Sequence, residues 1–241
     1  MKTKLDNATF FLSKKVGRAL TDYKMMEDGD KILVAVSGGK DSLSLLRILK
    51  YRQSFVPIKY EIMAVHIDMG YDRKHSVVLR KYFKKNGYKY HIGKERLQKK
   101  GQRPEAINCF WCSWNRRKAL FKFAERSGYK KIALGHHKDD IIETMLMNLF
   151  FNGEISAMSP KQELFGGKIT ILRPLAYVEE KELARFSRLN RFPAVKCGCP
   201  NAGKTQREKM GRLIKEVERT CPAVKSNMFN SMKKIKKEYM A

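Results

Sequence analysis

The sequence has no long hydrophobic run. None of its apolar stretches approaches the roughly 18 uninterrupted apolar residues that a membrane-spanning helix requires. The chain begins Met-Lys-Thr-Lys-Leu-Asp, and no apolar segment of the kind found in secretory signals follows. We therefore expect neither a membrane-spanning helix nor export, and a cytoplasmic location.

Acidic residues are scarce relative to basic ones. The 241 residues include 51 lysines and arginines but 24 aspartates and glutamates, which gives a formal net charge of +27. Charges of one sign repel one another in a compact state, so a polyanionic partner is the expected explanation. RNA is favoured over a membrane surface, because no predicted helix combines a basic face with a wide apolar one. The alternative is a solvated surface without a specific partner.

Internal repeats and low-complexity linkers are also absent, whereas apolar residues make up 43% of the chain, which is enough for a real core. Strand-like runs alternate with helical patterns. The predicted strands are 31–36, 60–67, 88–92 and 131–134, and the predicted helices are 7–23, one ending near 51, 76–86, 114–127 and 139–151. This alternation predicts an α/β fold with a parallel twisted sheet and helices on both faces.

The chain is predicted to consist of three parts. These are an N-terminal helical segment at 1–28, the sheet domain at 29–180 and a basic helical C-terminal extension at 181–241. In the first helix, Phe10, Phe11, Val16 and Leu20 recur near helical spacing and are expected to form its apolar face.

A short glycine-containing loop follows the first predicted strand. It consists of Ser37, Gly38, Gly39, Lys40, Asp41 and Ser42. At such a strand-to-helix junction the amide groups and the helix dipole favour anions, and glycines let a phosphate approach closely. Ser37 and Ser42 add hydroxyl donors, and Asp41 is a candidate Mg²⁺ ligand. The alternative is an ordinary turn with a serine cap.

The string Ser-Gly-Gly-Lys-Asp-Ser matches the signature of the PP-loop ATP pyrophosphatases, and the chain resembles this family. The resemblance implies that the loop and Ala35 bind ATP, that ATP is cleaved between its α- and β-phosphates, and that an oxygen atom is adenylated before a nucleophile displaces AMP. It also implies that adenine lies beside the end of the second strand, near His66. A buried core histidine is an equally good interpretation of His66.

A second polar motif lies at another strand-to-helix junction, Gly135-His136-His137-Lys138-Asp139-Asp140. Two histidines and two acids suggest a metal site, but their spacing does not place the ligands on one helical face. The string is similar to the second motif of PP-loop tRNA-modifying enzymes. That resemblance implies that Gly135, His136 and Asp140 line the ATP site and that Asp139 or Asp140 helps to activate the substrate.

Five cysteines occur in a chain without an export signal, so metal binding or redox chemistry is favoured over structural disulfides. Cys109 and Cys112 have the spacing of half a metal site, which is compatible with zinc, an iron–sulfur cluster or redox chemistry. Cys197 and Cys199 lie far downstream, and Cys221 matches no motif.

Within PP-loop proteins, this cysteine pair before a basic helix, with a late cysteine, resembles the tRNA 2-thiocytidine and 2-thiouridine synthetases. The resemblance implies a 4Fe-4S cluster on Cys109, Cys112 and Cys197, whose fourth iron carries the sulfur. It places Arg116 beside the reaction centre and favours the 2-thiocytidine branch. Cys199 competes with Cys197 as third ligand, and a closed four-cysteine site would suit structural zinc better.

The predicted function is ATP-dependent thiolation of a tRNA pyrimidine, with Mg²⁺ as cofactor and Arg116, Asp41, Asp139 and Asp140 as candidate catalytic residues. The expected partners are tRNA, a sulfur donor of unknown identity and, by resemblance, a second copy of the chain. One alternative is a PP-loop ligase of the lysidine-synthetase type without a cluster. The other is a non-catalytic zinc-binding RNA-binding relative.

Overall fold

The computed structural model of the chain describes residues 4–70, 73–95, 109–193, 206–236 and 238. Its α-helices are α1 Lys4–Asp22, α2 Lys40–Arg52, α3 Arg73–Lys85, α4 Cys109–Arg126, α5 Lys138–Met147, α6 Glu180–Asn190, α7 Gln206–Thr220 and α8 Val224–Ser231. Its strands are β1 Asp30–Ala35, β2 Tyr60–Asp68, β3 Tyr90–Lys94, β4 Lys131–Ala133, β5 Lys161–Leu164 and β6 Ile169–Leu172. A π-helical turn, Asn148–Asn152, continues α5. The predicted elements are confirmed, with ends that differ by a few residues.

The strands form one sheet in the order β3-β2-β1-β4-β6-β5. All neighbouring pairs are parallel except β5 and β6, which form an antiparallel hairpin at one edge. The α/β class is confirmed, but the sheet is mostly rather than wholly parallel. The hairpin was not predicted, because β5 is a four-residue edge strand of mainly polar residues (Lys-Gln-Glu-Leu) and resembles a loop in sequence.

The strand order reverses direction beside β1. From β1 the chain proceeds to β2 and β3 on one side and then returns to β4 on the other side of β1. In open α/β sheets, ligands bind at the carboxyl ends of the strands where the order reverses. The loops after β1 and β4 lie at this position.

Helices cover both faces of the sheet, as predicted. One core cluster joins α1, α2, α3 and α6 to the sheet and includes Leu46, Phe83 and Phe186. A second cluster, which includes Leu120 and Ile132, joins α4 to the opposite face. Each such fully buried side chain contributes on the order of 1.5–3 kcal/mol to folding.

The buried face of α1 differs from the prediction. Val16 and Leu20 are buried together with Leu12 and Ala19. The exposed fractions of Phe10 and Phe11 are 47% and 62%, so these aromatic residues are not part of the core. At about 100° of rotation per residue, Leu12, Val16, Ala19 and Leu20 lie on one side of α1, and Phe10 and Phe11 point more than about 100° away from the middle of that side.

The basic C-terminal helices are attached to the sheet domain. Met210, Ile214 and Phe229 of α7 and α8 form a third cluster with Ile141 and Leu146 of α5. The helix α6, by contrast, packs in the main core, although the predicted boundary at residue 181 assigns it to the C-terminal region. No helix in the described part of the chain is long and apolar enough to cross a membrane.

Candidate active site

The loop after β1 is held in shape by its own serines. The Ser42 hydroxyl donates to the Gly39 carbonyl at 2.9 Å and lies 3.2 Å from the backbone nitrogen of Ser37, which donates to it. The Gly39 amide in turn donates to the Ser37 hydroxyl at 3.2 Å. Gly38 has a φ of 93°, a conformation that glycine adopts without strain. These internal hydrogen bonds fix the shape of the loop.

The helix α2 starts at this loop without a side-chain cap. Gly39 occupies its N-cap position and has no side chain that could accept a hydrogen bond from the amides of the first turn. The amide groups of the first turn are therefore available, and together with the helix dipole they favour an anion. Lys40 lies beside them, 3.4 Å from Asp41 Oδ2 and 3.1 Å from Glu180 Oε1.

A cavity of about 280 Å³ connects the two polar loops with α4. Predicted site residues that line it are Ala35, Ser37, Asp41, Ser42, Arg116, Gly135, His136 and Asp140. Val65, Ile67, Leu120 and Ile171 supply an apolar floor. Residues from the loop after β1, the loop after β4 and the first turns of α4 are thus brought together as the sequence predicted.

Three polar side chains of the cavity have buried atoms without a hydrogen-bond partner among the described residues. These atoms are Asp41 Oδ1, Arg116 Nε and His136 Nδ1. A buried polar atom without a partner costs on the order of 1–3 kcal/mol, so such a group of them is typical of a site that a ligand completes.

Burial shifts the pKa of two of these groups. It raises the pKa of Asp41, against the opposing effect of Lys40. It lowers the pKa of His136 to about 4, so this ring is neutral near pH 7. A cation or a hydrogen-bond donor on the ligand would favour the ionised form of Asp41.

The two adjacent acids of the second motif have different surroundings. Asp140 Oδ2 accepts a hydrogen bond of 2.9 Å from the His137 backbone amide, and its other oxygen lies 3.4 Å from Arg207 Nη1. Asp140 lines the cavity, whereas Asp139 is not among the described residues that do. Of the two acids, Asp140 is therefore the one that lies at the cavity, and its contact with the substrate stays a prediction.

Asp139 takes part in a buried network of structural contacts. Its Oδ2 accepts a hydrogen bond of 2.8 Å from the Glu180 amide, and its Oδ1 lies 3.0 Å from Lys225 Nζ. Although burial opposes it, contacts with His137, the Glu180 amide and Lys225 hold the pKa of Asp139 well below its ordinary value. Asp139 therefore ties α5 to α6 and α8.

His66 is not brought to this cavity. Its neighbours Val65 and Ile67 line it, and successive side chains of a strand point to opposite faces. The His66 ring is buried, its Nδ1 lies 2.8 Å from the Val36 carbonyl oxygen, and burial lowers its pKa. This placement agrees with the interpretation of His66 as a core histidine.

The cysteine pair begins α4. Cys109 and Cys112 lie in its first turn, and residues three apart on a helix are neighbours on its surface. Cys112 is buried, and its Sγ lies 3.8 Å from Arg116 Nη2. The Cys109 side chain, Cys197 and Cys199 lie outside the described residues, so the third ligand stays a prediction.

Residues from the C-terminal helices also reach the second motif. Arg207 of α7 contacts Asp140, and Lys225 of α8 contacts Asp139. The sequence showed only a basic helical extension, and no local pattern distinguished these two cations from their neighbours.

Comparison with known proteins agrees with this geometry. The family model described as a PP-loop domain matches residues 12–196. A tRNA-cytidine(32) 2-sulfurtransferase from Geobacter sulfurreducens is 40% identical over 98% of this chain and 94% of its own length. One from Geobacter metallireducens is 41% identical over 93% of this chain and 90% of its own length.

A solved structure shows the same fold. The U34-tRNA thiolase from Methanococcus maripaludis, described with its [4Fe-4S] cluster, superposes with a TM-score of 0.77 at 20% identity, covering 97% of this chain and 80% of that one. The PP-loop signature, the architecture and the full-length relatives agree, and the chain belongs to the PP-loop family, among the tRNA-cytidine(32) 2-sulfurtransferases.

Proposed function

We propose that this chain is an ATP-dependent tRNA sulfurtransferase that replaces the 2-oxygen of a pyrimidine base with sulfur. The names of its relatives support cytidine 32 as the base. The observation that carries the proposal is that Asp41, His136 and Arg116 line one and the same cavity. It joins a phosphate-type loop to the first turns of the helix that bears Cys109 and Cys112.

ATP would bind with its phosphates at the loop Ser37–Ser42. The uncapped amides of α2 and the Ser37 hydroxyl would donate to phosphate oxygens, the Ser42 hydroxyl holds the loop through the Gly39 carbonyl, and Lys40 adds a positive charge. Asp41 Oδ1 is buried without a partner among the described residues, which fits a Mg²⁺ ligand. Gly135 and His136 close the other side of the cavity.

The tRNA base would enter next to Arg116, which positions its 2-oxygen. This oxygen attacks the α-phosphorus of ATP, the bond to the β-phosphate bridging oxygen breaks, and pyrophosphate leaves. A hydrosulfide then adds to C2, the bond between C2 and the adenylated oxygen breaks, and AMP leaves with that oxygen. The Arg116 guanidinium stabilises the negative charge that develops on this oxygen in the second step, as AMP leaves. The target base must be unstacked to reach the cavity.

Cys109, Cys112 and Cys197 are the residues that would hold a 4Fe-4S cluster. These three residues suit such a cluster, because cysteine thiolates are its usual ligands. Two of them share the first turn of α4. When bound there, the cluster would supply the sulfur for the second step. A cytoplasmic location, a sulfur donor and a homodimer stay predictions.

Anaerobic purification followed by iron and acid-labile sulfide analysis tests the cluster. We expect iron and sulfide in comparable amounts, and thiolated nucleoside in tRNA digests after incubation with ATP, Mg²⁺ and sulfide. Formation of AMP and pyrophosphate should require tRNA. Zinc alone in anaerobic protein would exclude the cluster and favour a PP-loop ligase or an RNA-binding relative.

A further inference from the structure

A second, larger concavity adjoins the candidate active site. It has a volume of about 1140 Å³ and lies between α4 and the turn that joins β5 to β6. Arg117 and Phe121 line both this groove and the smaller cavity. We call it the α4–hairpin groove. Because the two cavities share these residues, a polymeric substrate with one residue in the active site would extend into this groove.

The α4–hairpin groove presents aromatic rings at its surface. The exposed fractions of Trp114 and Phe165 are 46% and 62%. Trp114 stacks on Trp111 with ring centroids 5.9 Å apart and an angle of 13° between the planes. Phe121 contacts Phe165 edge-on at 5.7 Å. Exposed, flat side chains of this kind are the surfaces on which unpaired bases stack.

Phe165 is held outward by an unusual backbone conformation. Its φ is 55°, which is rare for a bulky side chain, and it is followed by Gly166 and Gly167 in the tight turn. Such a conformation persists where the surrounding structure enforces it, and it is concentrated at functional positions. Here it keeps a large apolar ring at the tip of the hairpin, next to α4.

The charge of the groove is strongly positive. Five cationic residues, Arg117, Lys118, Lys122, Lys130 and Lys168, line it against a single carboxylate, that of Glu125. Lys118 Nζ lies 5.1 Å from the centre of the Trp114 ring. Aromatic rings interleaved with lysines suit a nucleic-acid strand, which has both stacking faces and regularly spaced phosphates. A purely apolar protein partner would not require this excess of cations.

We propose that the α4–hairpin groove binds the unpaired nucleotides that flank the target base of the RNA. Their bases stack on Trp114 and Phe165, and their phosphates pair with Lys118, Lys122 and Lys168. The proposal deepens the proposed function and rests on it, because it takes the substrate to be RNA. The groove would select a single-stranded loop, since neither ring can stack on a base that is paired within a continuous helix.

Intrinsic fluorescence of the full chain gives a direct test. Trp111 and Trp114 are its only tryptophans, because the sequence contains two. The probes are a stem–loop RNA with an unpaired loop and a blunt duplex of the same stem. We expect the stem–loop to quench the fluorescence and the duplex to leave it largely unchanged. Neither ATP nor a cluster is needed for the measurement.

Substitution of Phe165 has a matched control. Phe11 has the same exposed fraction, 62%, but lies on α1, which packs on α2 and α6. Phe165→Ala should raise the Kd for the stem–loop about 5- to 100-fold, which is the range for loss of one base–aromatic stack. Phe11→Ala should leave the Kd unchanged. Lys168→Ala should weaken binding and reduce the slope of log K against log salt by about 1.

A Phe165→Ala protein that binds the stem–loop as tightly as the native chain does would overturn the proposal. If the same protein also has an altered oligomeric state in light scattering, the groove is a protein interface. If the stem–loop quenches the fluorescence but no tRNA is ever thiolated, the proposed function fails while the groove proposal stands.

Discussion

Gly135 lies directly against the backbone of Ser42. A Cβ atom at Gly135 would come within 2.9 Å of the Ser42 backbone nitrogen and 3.0 Å of its Cα. The loop after β4 therefore packs on the start of α2 at a distance that only a glycine allows. Through this contact, the two motifs of the predicted ATP site have a fixed relative position.

The substitution Gly135→Ala should separate the two loops. The new methyl group meets backbone atoms, so α2 or the β4 loop must move, at a cost of about 1–3 kcal/mol in unfolding free energy. We expect ATP-dependent pyrophosphate release to fall by about 100-fold, since small displacements of binding groups have effects of this size. Gly17→Ala is the control, because the atoms nearest its methyl group belong to the end of the long Arg52 side chain and not to the backbone. Equal activity of both variants would contradict the packing argument.

Removal of the Cys112 thiol should abolish cluster binding. In Cys112→Ala protein purified without oxygen, we expect iron and sulfide to fall to background, because one of the proposed ligands is missing. ATP binding should persist, since the phosphate loop does not involve this thiol. Cys221→Ala is the matched control, because Cys221 is a free thiol between α7 and α8. Iron retained by Cys112→Ala and lost by Cys221→Ala would reverse the assignment.

We expect Arg116 to act in the reaction itself, in addition to its contact with the Cys112 thiol. Its Nε is buried and has no partner among the described residues, so it is available to a substrate oxygen. Arg116→Ala should lower kcat for thiolation by about 100-fold or more, as for removal of other donors to a developing oxyanion. Iron content should stay at the native level. Arg126→Ala, in the last turn of the same helix, should leave kcat unchanged.

The sequence predicted those parts of the candidate site that are formed by short, contiguous motifs. The loop Ser37–Ser42, the loop at Gly135 and Arg116 each belong to a short motif, and the sheet brings their ends together. The partner of Asp140 was not predictable, because Arg207 is 67 residues away on a helix whose position depends on packing against α5. The hairpin that carries Phe165 was missed because its edge strand is short and polar.

The sequence alone also did not predict that Asp139 and Asp140 would have different surroundings. Adjacent residues on a helix point about 100° apart, so one carboxylate faces the cavity and the other faces α6 and α8. A sequence motif gives the order of these residues but not the rotation of the helix about its axis. That rotation is fixed here by burial of Ile141 and Ile142.

These two acids provide a matched pair of variants. Asp139→Ala removes the acceptor of the Glu180 amide and one of the two carboxylates that contact Lys225, the other being that of Glu218, and should cost about 1.5–3 kcal/mol in unfolding free energy. Asp140→Ala removes a backbone hydrogen bond at the start of α5 and should cost only about 0.5–2 kcal/mol. Urea unfolding measures both. We expect the opposite order for thiolation by folded protein, with the greater loss in Asp140→Ala.

Glu143 should make the stability of the protein depend on pH in an unusual direction. Burial, with the neighbouring Asp140 carboxylate, raises the pKa of Glu143 to about 7 from an ordinary value of 4.5. Between these two pH values the folded chain binds more protons at this position than the unfolded chain does. Stability therefore falls as pH rises through this window, which is opposite to the behaviour of an acid with a lowered pKa.

The substitution Glu143→Gln removes this titration and keeps the shape of the side chain. The variant should gain stability relative to the native chain as pH rises from about 4.5 to about 7, and the difference should be constant above that range. Thermal unfolding at a series of pH values measures it. Glu216→Gln on α7, where the side chain is exposed, should follow the native curve. A stability difference between Glu143→Gln and the native chain that does not change with pH would mean that Glu143 has the same pKa in the folded and the unfolded chain, with Arg207 offsetting the effect of burial.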